Sequence, residues 1–206
     1  EIHTLVGAGG ASGSLDASVA TGSMTHIKTL TASDSSTLSF VNGASSVVLN
    51  NTYKEYVFKF YDIHPSHSGT RFQFNGSIDT GSNYNATKQT SMFIAANLEA
   101  DTDTSLSYQP GDDLGNGTGF QDLAGFGNAN DDNDASLSGT LQLFDIANST
   151  FVKHFIARTN YMTTGPYPVD TFTGGYFNTT SALDAFQFKF TSNNIAAGTI
   201  KLYGVK

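Results

Sequence analysis

No cysteine occurs in this sequence, so neither disulfides nor thiolate metal sites contribute, and rigidity has to come from packing or from association between chains. Basic residues are scarce too: 10 Lys and Arg stand against 18 Asp and Glu, for a formal charge of −8 and a sequence pI near 4.8. Phosphate backbones and anionic bilayers are bound mainly through Lys and Arg, so no nucleic acid and no membrane surface is expected as a partner. A run of about eighteen apolar residues, the length that inserts in a bilayer, is missing. No basic-then-apolar start marks a secretion signal. The first residue is Glu1 rather than Met, and an upstream segment, removed or left out, is the expectation.

Helical patterning is also lacking. Nowhere do apolar residues recur at i, i+3, i+4 and i+7 behind a capping box, so any helical turn is expected in a loop such as residues 119–123. What the chain has instead is 16 Phe, 9 Tyr and 21 Gly in 206 residues, of which only 14% are charged. Aromatic and β-branched side chains suit a pleated surface, and this length fits one core.

Residues 1–23 are rich in Gly, Ala, Ser and Thr and hold too little apolar surface to fix themselves. They read as an extended N-terminal arm, ordered by a neighbouring chain if at all. From Met24 to Lys206 the pattern has period two, the spacing of strands with one face on a core. In residues 54–60 Tyr56, Phe58 and Phe60 alternate with Glu55 and Lys59; residues 71–75 and 186–190 repeat the design around Phe72 and Phe74, and Phe186, Phe188 and Phe190. Further strands are expected at residues 25–32, 37–41, 47–49, 88–95, 137–144, 151–159, 171–177 and 199–203. Turn chemistry separates them, including Asn42-Gly43, Pro110-Gly111-Asp112 and Asn193-Asn194. The expected fold is all-β, an antiparallel, jelly-roll-like sandwich with an N-terminal arm. Residues 99–134, acidic and Gly-rich, break the rhythm and read as a long elaborated loop.

Traces of catalysis are hard to find. No nucleophile elbow, zinc-protease motif or P-loop occurs, and Gly7-Ala8-Gly9-Gly10 lacks the spacing of a dinucleotide fingerprint. A hydrolase built on paired aspartates, such as Asp131 and Asp132, finds no second carboxylate at a telling spacing. The chain is expected to be non-enzymatic. His64 and His67 share one loop, but two imidazoles without a third ligand make a poor metal site; His154 lies on the strand face opposite Phe151 and Phe155. The EF-hand-like start at Asp101 and Asp103 fails, with Leu106 where glycine belongs and Asp112 where glutamate does. Asp131, Asp132 and Asp134 remain the candidate ligands of a hard cation such as Ca²⁺, against a solvated acidic turn; no other cofactor is expected. Tyr84, Tyr161 and Tyr167, flanked by Gly and Pro, are candidate exposed rings for a subunit interface or for a sugar face.

Several phrases, MTHIKTLTA from Met24, YKEYVFKF from Tyr53, Ile63-His64-Pro65, GSNYN from Gly81, TFVKHF from Thr150, GYFNTTSA from Gly175 and IAAGTIKLYG from Ile195, resemble virion structural proteins of tailed bacteriophages of aquatic bacteria, frequently described as tail-fibre proteins. The resemblance spans nearly all of residues 24–206 and includes no catalytic signature. It implies a virion location, a symmetric building block, in all expectation a homotrimer, attachment to other virion proteins through the arm, and contact with the host surface, including its glycans. The alternatives are a head decoration (cement) protein and a free carbohydrate-binding module.

Overall fold

A computed structural model describes residues 23–206; the N-terminal arm expected at residues 1–23 lies, but for Ser23, outside them. The chain forms two antiparallel sheets packed face to face. The twelve strands are β1 (Met24–Thr31), β2 (Leu38–Val41), β3 (Glu55–Pro65), β4 (Phe72–Ser77), β5 (Lys88–Asn97), β6 (Thr104–Tyr108), β7 (Gln121–Asp122), β8 (Leu137–Phe144), β9 (Lys153–Met162), β10 (Pro168–Phe177), β11 (Ala185–Phe190) and β12 (Ile195–Val205). Eight form the large sheet, in the order β1-β12-β3-β8-β9-β10-β5-β6, and four the small one, β2-β11-β4-β7. Every small-sheet strand is flanked in sequence by large-sheet strands, so the chain repeatedly crosses the core between them. The expected all-β sandwich is what forms.

Three local expectations are corrected. Residues 119–123 hold no helical turn but the short strand β7; the one 3-10 turn among the described residues is Ala44–Ser46, behind Gly43 at φ 80°. Residues 47–49 are extended without joining a ladder, although Val47 and Leu49 are buried. The region 99–134 is not a strandless loop, since β6 and β7 lie inside it.

The core is an aromatic layer. Phe188, in the centre of the small sheet, lies 5.0 Å from Phe58 and 5.3 Å from Phe60 of the large sheet, both edge-on. It lies 6.0 Å and 6.4 Å from its stacked neighbours Phe72 and Phe74, and meets Phe40 edge-on at 6.2 Å. All six rings are buried, and such pairs add to the area term because ring edges and faces carry opposite partial charge. Two buried tyrosines of the core bind connecting segments, each in the same way. The Tyr56 hydroxyl donates to the Asn50 carbonyl and accepts from the Asn50 N–H (2.8 and 2.9 Å), and Tyr161 does the same to Phe126 (2.5 and 2.9 Å). Each pins a connecting segment by both its backbone groups, and burial pushes the Tyr161 phenol up to about 12.

A lysine also sits inside. Lys88 is wholly buried; its ammonium donates to Asn75 Oδ1 (2.6 Å), the Gly119 carbonyl (2.8 Å) and the Ala86 carbonyl (3.0 Å), and lies 5.3 Å from the Phe177 ring centre. Asn75 in turn donates to the carbonyls of Tyr84, Thr118 and Gly119. These bonds moor the connection between β6 and β7 to the sandwich. No described carboxylate pairs with Lys88, and desolvation pulls its pKa down to about 7.

Two expectations follow from this interior. Phe188→Ala should lower the free energy of unfolding by about 3–5 kcal/mol in a urea titration, the range for removing a buried ring; a loss under about 1 kcal/mol would mean that the ring is not central. Between pH 7 and the ordinary lysine value the unfolded chain binds a proton that folded Lys88 does not, so its contribution to stability rises with pH over that window and is flat below it. The stability of the wild type relative to Lys88→Met should therefore climb from pH 7 to pH 10, by at most about 1.4 kcal/mol per pH unit; a flat difference would show that the ammonium stays charged throughout.

Candidate functional site

The tyrosines picked out in sequence do not meet at one place. Tyr161 is 2% exposed and serves as the backbone clasp described above, so its reading as an exposed ring is overturned. Its parity shows why: it lies six residues after Phe155, and residues 155, 157, 159 and 161 all face the core. Tyr167 is half-buried, edge-on to Phe126 at 5.8 Å, with its hydroxyl donating to Asp103 at 2.7 Å. Tyr84 lies in the connection between β4 and β5, where its carbonyl accepts from Asn75.

The acidic turn is likewise occupied with itself. Asp131 accepts from the Ser68 hydroxyl and returns its own N–H to the same oxygen at 2.9 Å; Asp132 accepts from Asn130 Nδ2 at 2.8 Å; Asp134 is exposed. His64 Nδ1 lies 2.7 Å from the Ala135 carbonyl, and His67 is exposed. Among the described residues no three His, Asp or Glu side chains are grouped to hold a metal ion. The carboxylates that do come together are ones the sequence did not suggest, Asp112 and Asp122, both bonded to Arg71. Gln73 also donates to Asp122 at 2.5 Å. Burial raises the pKa of both acids against the pull of the guanidinium, and the cluster ties the connection between β6 and β7 to β4.

The distinctive surface is the outer face of the large sheet, and β10 is the strand that creates it. Its inward positions carry Thr171 and Thr173, buried to 1% and 2%; Thr171 lies beside the Tyr161 hydroxyl, and the Thr173 hydroxyl has no hydrogen-bond partner among the described residues. Its outward positions carry Asp170, Phe172, Gly174 and Tyr176. Between Thr171 and Thr173 the ring of Phe172 is the more hydrophobic group, yet it faces out, whereas Val169, Asp170 and Phe177 lie where hydrophobicity would put them. A one-residue slip would bury the rings, but Val169 and Phe177 at the strand's two ends are themselves in the core and hold the register.

Cross-strand neighbours extend the pattern. Phe172 faces Phe93 on β5 and Arg158 on β9. The two rings stack at 4.7 Å with 4° between their planes, and the guanidinium carbon of Arg158 lies 4.8 Å from the Phe172 centre. Asp170 accepts from Arg158 Nε (3.1 Å) and Nη2 (2.5 Å), which fixes the fork and neutralises it. Tyr108 of β6 faces Phe93 on its other side. Phe93, Leu106, Tyr108 and Ile156 are 45%, 79%, 52% and 55% exposed.

One row further along, Gly174 lies between Ser91 and Ile156, and Tyr176 between Gln89 and His154. His154 faces outward, opposite buried Phe155, as the strand parity required; Phe151, expected beside Phe155, instead lies outside the strand and is 69% exposed. A side chain at Gly174 would meet nothing within 4 Å, so the glycine leaves the floor of a trough of about 680 Å³. Compared with known proteins, the chain matches no family model, no curated protein and no solved structure.

A buried hydroxyl without a partner costs more than the methyl that would replace it. Thr173→Val should therefore leave stability unchanged or raise it by up to about 1 kcal/mol, read as a higher Tm. A clear fall in Tm would show that the hydroxyl is bonded in solution.

Proposed function

We propose that the chain is a non-catalytic structural domain of a tailed-bacteriophage particle, a tail-fibre or spike domain that assembles as a homotrimer and meets the host surface through the outer face of its large sheet. The observation that supports a contact role is the middle of β10, where Thr171 and Thr173 are kept inside while the Phe172 ring is held outside, stacked on the exposed Phe93. Departures from local consistency of this kind concentrate at functional positions, and exposed aromatic groups clustered on one face mark contact surfaces. The virion address comes from the sequence phrases around Met24, Tyr53, Thr150, Gly175 and Ile195, and residues 1–22 would supply the attachment to other virion proteins. A structural rather than catalytic role agrees with the state of the acids, since Asp112, Asp122, Asp131 and Asp132 all accept bonds from within the protein.

Light scattering on the eluting full chain across a wide concentration range should give the mass of three chains, and antibodies raised against it should decorate the appendages of the particle in electron micrographs. A chain that stays monomeric at the highest concentration, or antibodies that bind no particle, would overturn the proposal.

A further inference from the structure

We infer that the trough over Gly174 is a binding site for a neutral glycan built of hexose units. The inference rests on the reading above that the outer face of the large sheet is the face presented to the host. Its volume, about 680 Å³, lies within the range of small-ligand sites. Tyr108, Ile156 and Tyr176 line it as an apolar surface open to solvent, and Gln89, Ser91 and His154 stand among them.

The chemistry of this lining selects the ligand. A pyranose ring presents C–H groups on its faces and hydroxyls around its rim; the first suit aromatic walls and the second suit uncharged donors and acceptors. The polar groups are unspent: among the described residues the side chains of Gln89, Ser91 and His154 and the Tyr176 hydroxyl make no hydrogen bond within the protein. Elsewhere on the same face, by contrast, Arg158 is held by Asp170 and Gln142 donates to Glu55 at 3.1 Å. A purely apolar ligand would leave the free polar groups desolvated and unpaired, at a cost for each. No Lys, Arg, Asp or Glu lines the trough, and the chain as a whole carries a charge of −8. Sulfated, sialylated and uronic-acid glycans find no cation there and are repelled at long range. The neighbouring Phe93 and Phe172 contribute less than their size suggests, because Phe172 is already covered on its two faces, by Phe93 and by Arg158. A hollow of about 480 Å³ adjoins the trough over this stack and shares Ser91, Ile156 and Gly174 with it, but its polar side carries Arg158; the uncharged trough is the better match for a neutral ring.

Gly174 supplies the means of testing this. A side chain added there meets nothing within 4 Å, so Gly174→Arg fills the trough from its floor and spares the fold. The full chain and this variant are titrated, with saturation-transfer NMR and calorimetry, against gluco-, galacto- and manno-oligosaccharides and against a sialylated oligosaccharide. At least one neutral oligosaccharide should bind the wild type, the sialylated one should not, and Gly174→Arg should weaken binding by about tenfold or more with Tm unchanged. Tyr176→Ala, which removes a wall rather than filling the floor, should weaken the same ligand. Absence of binding by every neutral oligosaccharide at millimolar concentration, or binding indifferent to both variants, overturns the inference. So does a Gly174→Arg chain whose mass in solution falls, since the trough would then be a contact between copies of this chain. The readouts separate the two readings: a particle-borne trimer that binds no glycan removes only the site, whereas a monomer that binds glycan through the trough removes the appendage and leaves the site standing.

Discussion

The ring of Phe188 is the point at which the two sheets become one body. It sits on the central region of the small sheet and packs against Phe58 and Phe60 of β3, itself in the interior of the large sheet, while Phe72, Phe74 and Phe40 close around it. With no cysteine in the chain, this layer does what a disulfide often does in sandwiches of secreted type, and does it through dispersion and ring electrostatics. The tyrosine clasps at Tyr56 and Tyr161 then secure the connecting segments to the same layer. Because the small sheet covers one side of the large one, the other side is released from packing against a second layer, though the Phe93–Phe172 stack and the Arg158–Asp170 pair still bind its strands together.

That release is what β10 exploits. Its two ends, Val169 and Phe177, are core residues, and between them the chain accepts buried threonines and a glycine floor so that its outward positions can differ. Lys88 follows a related logic at the far end of the sheet. An unpaired ammonium in the interior is expensive, yet three carbonyl acceptors and a ring face hold it, and the segment before β7 is thereby fixed to the sandwich. Stability is given up at these positions, and shape is gained.

Most of the strands could be read in advance, because alternation of Phe or Tyr with polar residues in 54–60, 71–75 and 186–190 has a single core-facing solution. Strand β6 could not. It is an edge strand whose larger groups, Leu106 and Tyr108, face solvent, so no core imposed a recognisable pattern on it. For Tyr161 the Gly-Pro neighbourhood points to solvent and the parity with Phe155 points to the core, and parity decides. The outer face is harder to read: in TFTGGYF, Phe172 and Phe177 have opposite parity, so the rings alone do not settle which face is inward, and the burial of Val169 and Phe177, with the pairing of β10 to β5 and β9, decides. Asp112 and Asp122 meet through Arg71, a contact between distant parts of the chain that spacing cannot reveal.

The pairing of β1 with β12 sets how the domain bears load. Met24 is opposite Val205, so the chain upstream of β1 and the end of β12 leave from the same edge of the molecule. Tension between those two points would open the β1–β12 ladder one rung at a time, like a zip. Tension along the strands would instead drag β1 lengthwise along β12, loading many transverse hydrogen bonds together. Met24, Val205, Glu55, Phe144, His154 and Tyr176 lie in about one row across the large sheet. A domain held by residues 1–22 and engaged at Tyr176 would thus be pulled across its strands, and the β1–β12 ladder would take that load from its end.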